Sequence, residues 1–118
     1  KEEVVKWMVE EGGADVDAQD SDGGTAVMGA AYNGHLEVVK WLVQEGGAKV
    51  DAADTYGCTV LMFAALRGHK ELVKWLVQTG GAAVNAADHD GETALMSAAT
   101  DGREEVVKWL GGGGGGGG

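Results

Sequence analysis

Asp20-Ser21-Asp22-Gly23-Gly24-Thr25 sets carboxylates at alternate positions ahead of a glycine, the order in which an EF-hand loop presents its first calcium ligands. With Gly23 at the sixth position of such a loop, Asp20 and Asp22 fall on the third and fifth. The first position is then Ala18 and the twelfth Gly29, and neither side chain carries an oxygen. A loop without its opening ligand and its closing bidentate glutamate does not make a calcium cage. No metal site is expected. The stretch reads instead as a turn: Asp bonds to nearby backbone N–H groups, Gly23 supplies permissive backbone angles, and Thr25 caps a following helix.

The other chemistry-bearing residues are dispersed. His35, His69 and His89 fall in different stretches and form no convergent ligand set. Cys58 has no histidine or acid at a nucleophile's spacing and is expected to be an ordinary exposed thiol. There is no phosphate-binding glycine loop and no catalytic constellation, so the chain reads as no enzyme, with no cofactor. The net charge of −10 repels phosphate backbones and anionic membranes, which makes nucleic acid a poor partner. No apolar run approaches the ~20 residues that span a bilayer. One cysteine permits no intrachain disulfide, which suits the cytoplasm or another reducing compartment.

The elements that must position these residues are set by a repeat. Trp7, Trp41, Trp75 and Trp109 recur every 34 residues, and their surroundings recur with them: EVVKWMVEEGGADVDA, EVVKWLVQEGGAKVDA, ELVKWLVQTGGAAVNA and EVVKWL. The turn recurs too, in DSDGGTAVMGAAYNGH, DTYGCTVLMFAALRGH and DHDGETALMSAATDGR. In each period a threonine (Thr25, Thr59, Thr93) is a candidate N-cap whose hydroxyl accepts a backbone N–H bond. A short apolar helix follows over 26–32, 60–66 and 94–100. Paired alanines let it approach a neighbour closely, and Gly34, Gly68 or Gly102 ends it in the left-handed conformation. A second helix then carries a helical apolar stripe. In repeat 20–53 Val38, Val39, Leu42 and Val43 form its inner face, with Trp41 at the edge. Glu37 and Lys40 suit the helix dipole and each other. The paired Gly46-Gly47 stops that helix, and an extended arm with a tight turn leads to the next period.

A 34-residue unit with two short helices cannot bury its apolar faces alone but can do so against copies of itself. The pattern DxxGxTALMxAAxxGHxEVVKWLVxxGGAxVNAxD, across Asp20 to Asp88, resembles the ankyrin repeat family. The resemblance extends over essentially all of residues 1–110. The turn-and-arm segment excludes the tetratricopeptide repeat of the same length. The resemblance implies an all-α solenoid of stacked helix-turn-helix units with short extended or hairpin arms. It divides the chain into a partial repeat 1–19, repeats 20–53, 54–87 and 88–110, the last truncated, and a polyglycine tail 111–118. Three departures stand out. The family's Thr-Pro-Leu-His becomes Thr25-Ala26-Val27-Met28, Thr59-Val60-Leu61-Met62 and Thr93-Ala94-Leu95-Met96, without proline. Its histidine, which ties neighbouring repeats by hydrogen bonds, becomes methionine, so an apolar contact is expected there. The doubled glycine lengthens the repeat from the common 33 residues to 34.

Family resemblance also implies non-catalytic protein binding through the concave surface of arms and first helices. Positions that vary between periods while the framework holds are the candidates: Tyr56, Phe63, Leu66 and Arg67 in the central period, with Tyr32, Asn33, Asp22, His89 and Asp90 around them. Aromatic and arginine residues are favoured interface anchors. His35 and His69 occupy the position of a structural histidine of the family, which Arg103 takes in the third period. Trp7, Trp41, Trp75 and Trp109 form a second candidate stripe, with flank packing between repeats as its simpler role. The partner is another protein; the alternative is a permanent structural subunit or scaffold wedged in a large multiprotein complex. Lys1 opens inside a second helix and Leu110 closes inside another, so a fragment of a longer array is expected, with Gly111 to Gly118 standing in for unassigned residues. A flexible linker is the rival reading of those glycines.

Overall fold

The computed structural model describes residues 12–112. Trp7, the first part of the partial repeat and Gly113 to Gly118 lie outside them. Among the described residues six helices follow in order: α1 (Ala26–Tyr32), α2 (Leu36–Gln44), α3 (Val60–Leu66), α4 (Lys70–Gln78), α5 (Ala94–Thr100) and α6 (Glu104–Gly111). They pair as α1 with α2, α3 with α4 and α5 with α6, and the first helices α1, α3 and α5 stack in register on one another. Among the described residues, the extended arms form only an isolated antiparallel bridge, Ala87 with Thr93. The architecture is the all-α solenoid that the repeat predicts.

The stacking is made possible by small residues in the first helices. Ala31, Ala64, Ala65 and Ala98 are fully buried, so each first helix lies close against the next. Val39, Leu42, Val73, Leu76 and Val106 on the second helices close one core that runs through the repeats. Each such buried side chain contributes ~1.5–3 kcal/mol. Val43 is only half-buried, whereas Trp41 is 7% exposed. The inner face of α2 is therefore rotated toward the tryptophan from the sequence expectation.

The doubled glycine closes the helix beside that tryptophan, and its two members have different reasons. The α2 end is closed by bonds from Gly46 N–H to the Trp41 carbonyl (2.9 Å) and from Ala48 N–H to the Leu42 carbonyl (2.8 Å). A Cβ on Gly46 would lie 2.9 Å from the Leu42 carbonyl oxygen and 3.2 Å from Trp41 Cζ3, so the indole covers this position. Gly47 has open space around it but a φ of +74°, which L side chains rarely adopt. One glycine answers to sterics and the other to backbone conformation. Gly80 and Gly81 repeat the arrangement against Trp75.

Two local expectations change. Thr93 Oγ1 accepts the cap bond from Met96 N–H at 3.4 Å, but Thr25 makes no side-chain cap bond and its Oγ1 is buried without a partner. At the middle repeat the Thr59 N–H donates to Met62 Sδ at 3.4 Å, so that methionine contact is not purely apolar. The thioether serves as the weak acceptor within reach of an otherwise buried donor. Helix α6 runs on through Gly111, in line with Leu110 lying inside a second helix, and its last turn is closed by Gly112 N–H on the Lys108 carbonyl at 2.8 Å.

Candidate functional site

The turns are organised by one carboxylate each. Asp20 Oδ1 accepts from the N–H groups of Asp22 (2.9 Å) and Gly24 (2.8 Å). Asp54 does the same for Tyr56 and Cys58, and Asp88 for Asp90 and Glu92, all at 2.9 Å. Among the described residues no group of three or more His, Cys, Asp and Glu is placed to hold a metal ion. Successive turns are joined by backbone bonds, Thr55 N–H to the Asp22 carbonyl (2.9 Å) and His89 N–H to the Tyr56 carbonyl (3.0 Å). This lines up the turn tips, and with them Asp22, Tyr56, His89 and Asp90, all exposed.

Behind the tips, the first helices bring residues of different repeats together. The Tyr32 and Phe63 rings meet edge to face, with centroids 6.2 Å apart and planes at 70°. The Arg67 guanidinium carbon lies 4.7 Å from the centre of the Tyr32 ring, a cation–π arrangement. Tyr32 is 39% exposed and Tyr56 62%. Beside this trio a depression of 260 Å³ is lined by Asp20, Asp22, Thr25, Met28, Tyr32, Asn33, Asp54 and Phe63, with Gly24 and Gly29. Asn33 Nδ2 donates to the Gly29 carbonyl at 3.0 Å, which fixes the helix end at its rim. Of the residues expected to face a partner, the structure therefore gathers Tyr32, Asn33, Asp22, Phe63 and Arg67. Leu66 is half-buried, and Tyr56, His89 and Asp90 form the neighbouring row of tips.

The residues that hold this face in shape act from behind it. A ring nitrogen of His69 donates to the Tyr32 carbonyl at 3.0 Å, and Arg103 Nε donates to the Leu66 carbonyl at 2.9 Å. The position that is histidine in one period and arginine in another thus makes one and the same bond to the first helix of the preceding repeat. Asp17 and Asp51 accept from Lys49 N–H (3.1 Å) and Ala83 N–H (3.0 Å), a second strand of links between periods. Sequence reasoning overlooked Asp20, Asp54 and Met28 as wall residues, since each also has a clear local role. Their signal would have been the 34-residue register, which sets Asp54 beside the Asp20 turn.

Of the tryptophan stripe, Trp41 is buried and Trp75 and Trp109 are half-buried, packed on the helix flanks. Cys58 is also half-buried, not exposed. Burial and the nearby Asp54, Asp88, Asp90 and Glu92 carboxylates push its thiol pKa up, so the nucleophilic thiolate is disfavoured. No helix among the described residues is long and apolar enough to cross a membrane.

No curated protein matches the chain significantly. A family model of ankyrin repeats, three copies, matches residues 1–88 and again 46–114. Repeats of this family are in general protein–protein interaction modules. With its period, paired helices and repeat-to-repeat hydrogen bonds, this chain belongs to the ankyrin repeat family.

Proposed function

We propose that the chain is a non-catalytic protein-binding module that grips its partner with the concave face of arm turns and first helices, centred on Tyr56, Phe63, Leu66 and Arg67. The observation that carries this reading is the meeting of Tyr32, Phe63 and Arg67 from two repeats beside an open depression. Aromatic and arginine side chains held in one cluster lose little further entropy on binding and make interface hot spots. The flanking turn tips supply Asp22, His89 and Asp90 as rim contacts. Trp41, Trp75 and Trp109 are assigned to packing between helices.

A photo-crosslinking residue placed at Tyr56 should capture the partner from cells, and one placed at Glu71 or Lys74, on α4, should not. Alanine at Tyr56, Phe63, Leu66 and Arg67 should then each weaken that partner's binding by about 1 kcal/mol or more. Capture from α4 alone, with affinity unchanged in all four variants, would overturn the reading.

A further inference from the structure

The turn tips of the three repeats carry Asp20, Asp22, Asp54, Asp88, Asp90 and Glu92, and no lysine or arginine. The lysines of the second helices, Lys40, Lys70, Lys74 and Lys108, belong to the other helix layer. The depression at the foot of the first two tips combines Asp20, Asp22 and Asp54 with the Tyr32 and Phe63 rings. The Asp22 carboxylate accepts no hydrogen bond among the described residues, so its charge is uncommitted. Thr25, 9% exposed, lines the same depression, and its hydroxyl oxygen has no hydrogen-bond partner. A guanidinium already rests on the Tyr32 ring, that of Arg67, which orients the ring against Phe63.

On the reading that this face binds a protein, we propose that the depression takes an arginine side chain from a basic, extended segment of the partner. A guanidinium can stack on an aromatic face while its N–H fork bonds carboxylates, a combination that an ammonium does not match. The three carboxylates supply acceptors, the rings supply a stacking surface, and the acidic tips of the next repeats continue a track for further basic residues. Opposite charge along the whole edge steers such a segment toward the site and repels acidic ones.

The test uses a fluorescein-labelled peptide of alternating arginine and serine, with a citrulline version that keeps the shape and removes the charge. Anisotropy is read at an ionic strength of about 0.15 M, where exposed charges more than ~8 Å apart are screened. The combined Asp20→Asn, Asp22→Asn and Asp54→Asn variant keeps the Oδ1 acceptors of the turns and removes three charges. The combined Glu37→Gln, Glu45→Gln and Glu71→Gln variant removes three charges from the second-helix side. The arginine peptide should bind saturably and the citrulline peptide should not. Affinity should fall roughly tenfold in the aspartate variant, the factor three exposed charge pairs supply together, and less than about twofold in the glutamate variant. Should the aspartate variant lose its helical circular dichroism, Asp22→Asn alone serves, since its carboxylate holds no turn bond; a loss of roughly twofold is expected, against none for Glu71→Gln alone. Equal losses in the two charge sets, equal binding of the citrulline peptide, or no saturable binding overturns the proposal. A partner captured through Tyr56 whose crosslinked segment lacks arginine also overturns it and leaves the protein-binding reading standing, whereas capture from α4 alone removes that reading itself.

Discussion

Arg103 Nε donates a 2.9 Å hydrogen bond to the carbonyl oxygen of Leu66, across the boundary between two repeats. His69 makes the equivalent bond to Tyr32 one repeat earlier. Both cap a first helix whose last carbonyls have no partner within the helix. Removing the part-buried Arg103 bond costs ~1–3 kcal/mol, and removing the exposed His69 bond, whose carbonyl water can reach, ~0.5–1.5 kcal/mol. His69→Ala and Arg103→Ala should therefore both lower stability in urea melts, Arg103→Ala by more. Arg103→His, which retains a donor, should recover part of the loss. Unchanged midpoints would show that the stack does not depend on these bonds.

The two kinds of glycine should respond differently to alanine. Gly57 has φ +82°, and a Cβ there would lie 2.6 Å from His89 Cδ2 and 2.8 Å from the His89 nitrogen. Gly47 has φ +74° with nothing within 4 Å. Gly47→Ala carries only the left-handed penalty of ~1–2 kcal/mol. Gly57→Ala adds a clash with backbone that is itself hydrogen-bonded to Tyr56, and should cost clearly more. Equal denaturation midpoints would contradict this account of how the turn tips meet.

Threonine at the three helix starts should likewise divide. Thr25→Val removes a buried, unpartnered hydroxyl, and should be neutral or stabilising. Thr93→Val removes the oxygen that accepts from Met96 N–H, and should cost ~1 kcal/mol. Thermal melts of the two variants decide; an equal loss in both would mean that Thr25 Oγ1 has a partner after all.

Cys58 should be slow to alkylate. Burial comes first and four carboxylates after it in raising its pKa. The rate of reaction with iodoacetamide should thus climb at higher pH than for the unfolded chain, and added salt should narrow the gap only in part, because it screens the carboxylates but leaves the larger effect of burial. The sign for stability follows: the thiol's contribution is fully present below the unfolded pKa and is lost as pH rises through the folded one. A folded-state curve at or below the unfolded one would reverse the assignment.

Calcium provides the plainest check of the turn reading. Asp20, Asp54 and Asp88 each spend Oδ1 on two backbone N–H groups. Calorimetric titration with calcium should show no stoichiometric site, and a micromolar one would show that these turns open to coordinate.

Much of the fold was legible in the 34-residue period, because helix starts, helix stops and apolar spacing are local properties that one chain segment states by itself. The helices over 26–32, 60–66 and 94–100, and the left-handed Gly34, Gly68 and Gly102, stand where that pattern places them. The ion pair of Glu37 with Lys40 also forms, at 3.8 Å. The tertiary structure decided what depends on distances between repeats. Trp41 turns inward because Gly46 leaves room for its ring. Thr25 loses its cap bond although Thr93, the same residue in the same local sequence frame, keeps one. Arg67 finds Tyr32 from the repeat before, and no reading of either period alone pairs them. A repeat states its own conformation in sequence, but a side chain's partner across the stack is fixed by the registry between units, and that registry exists only once the units have packed.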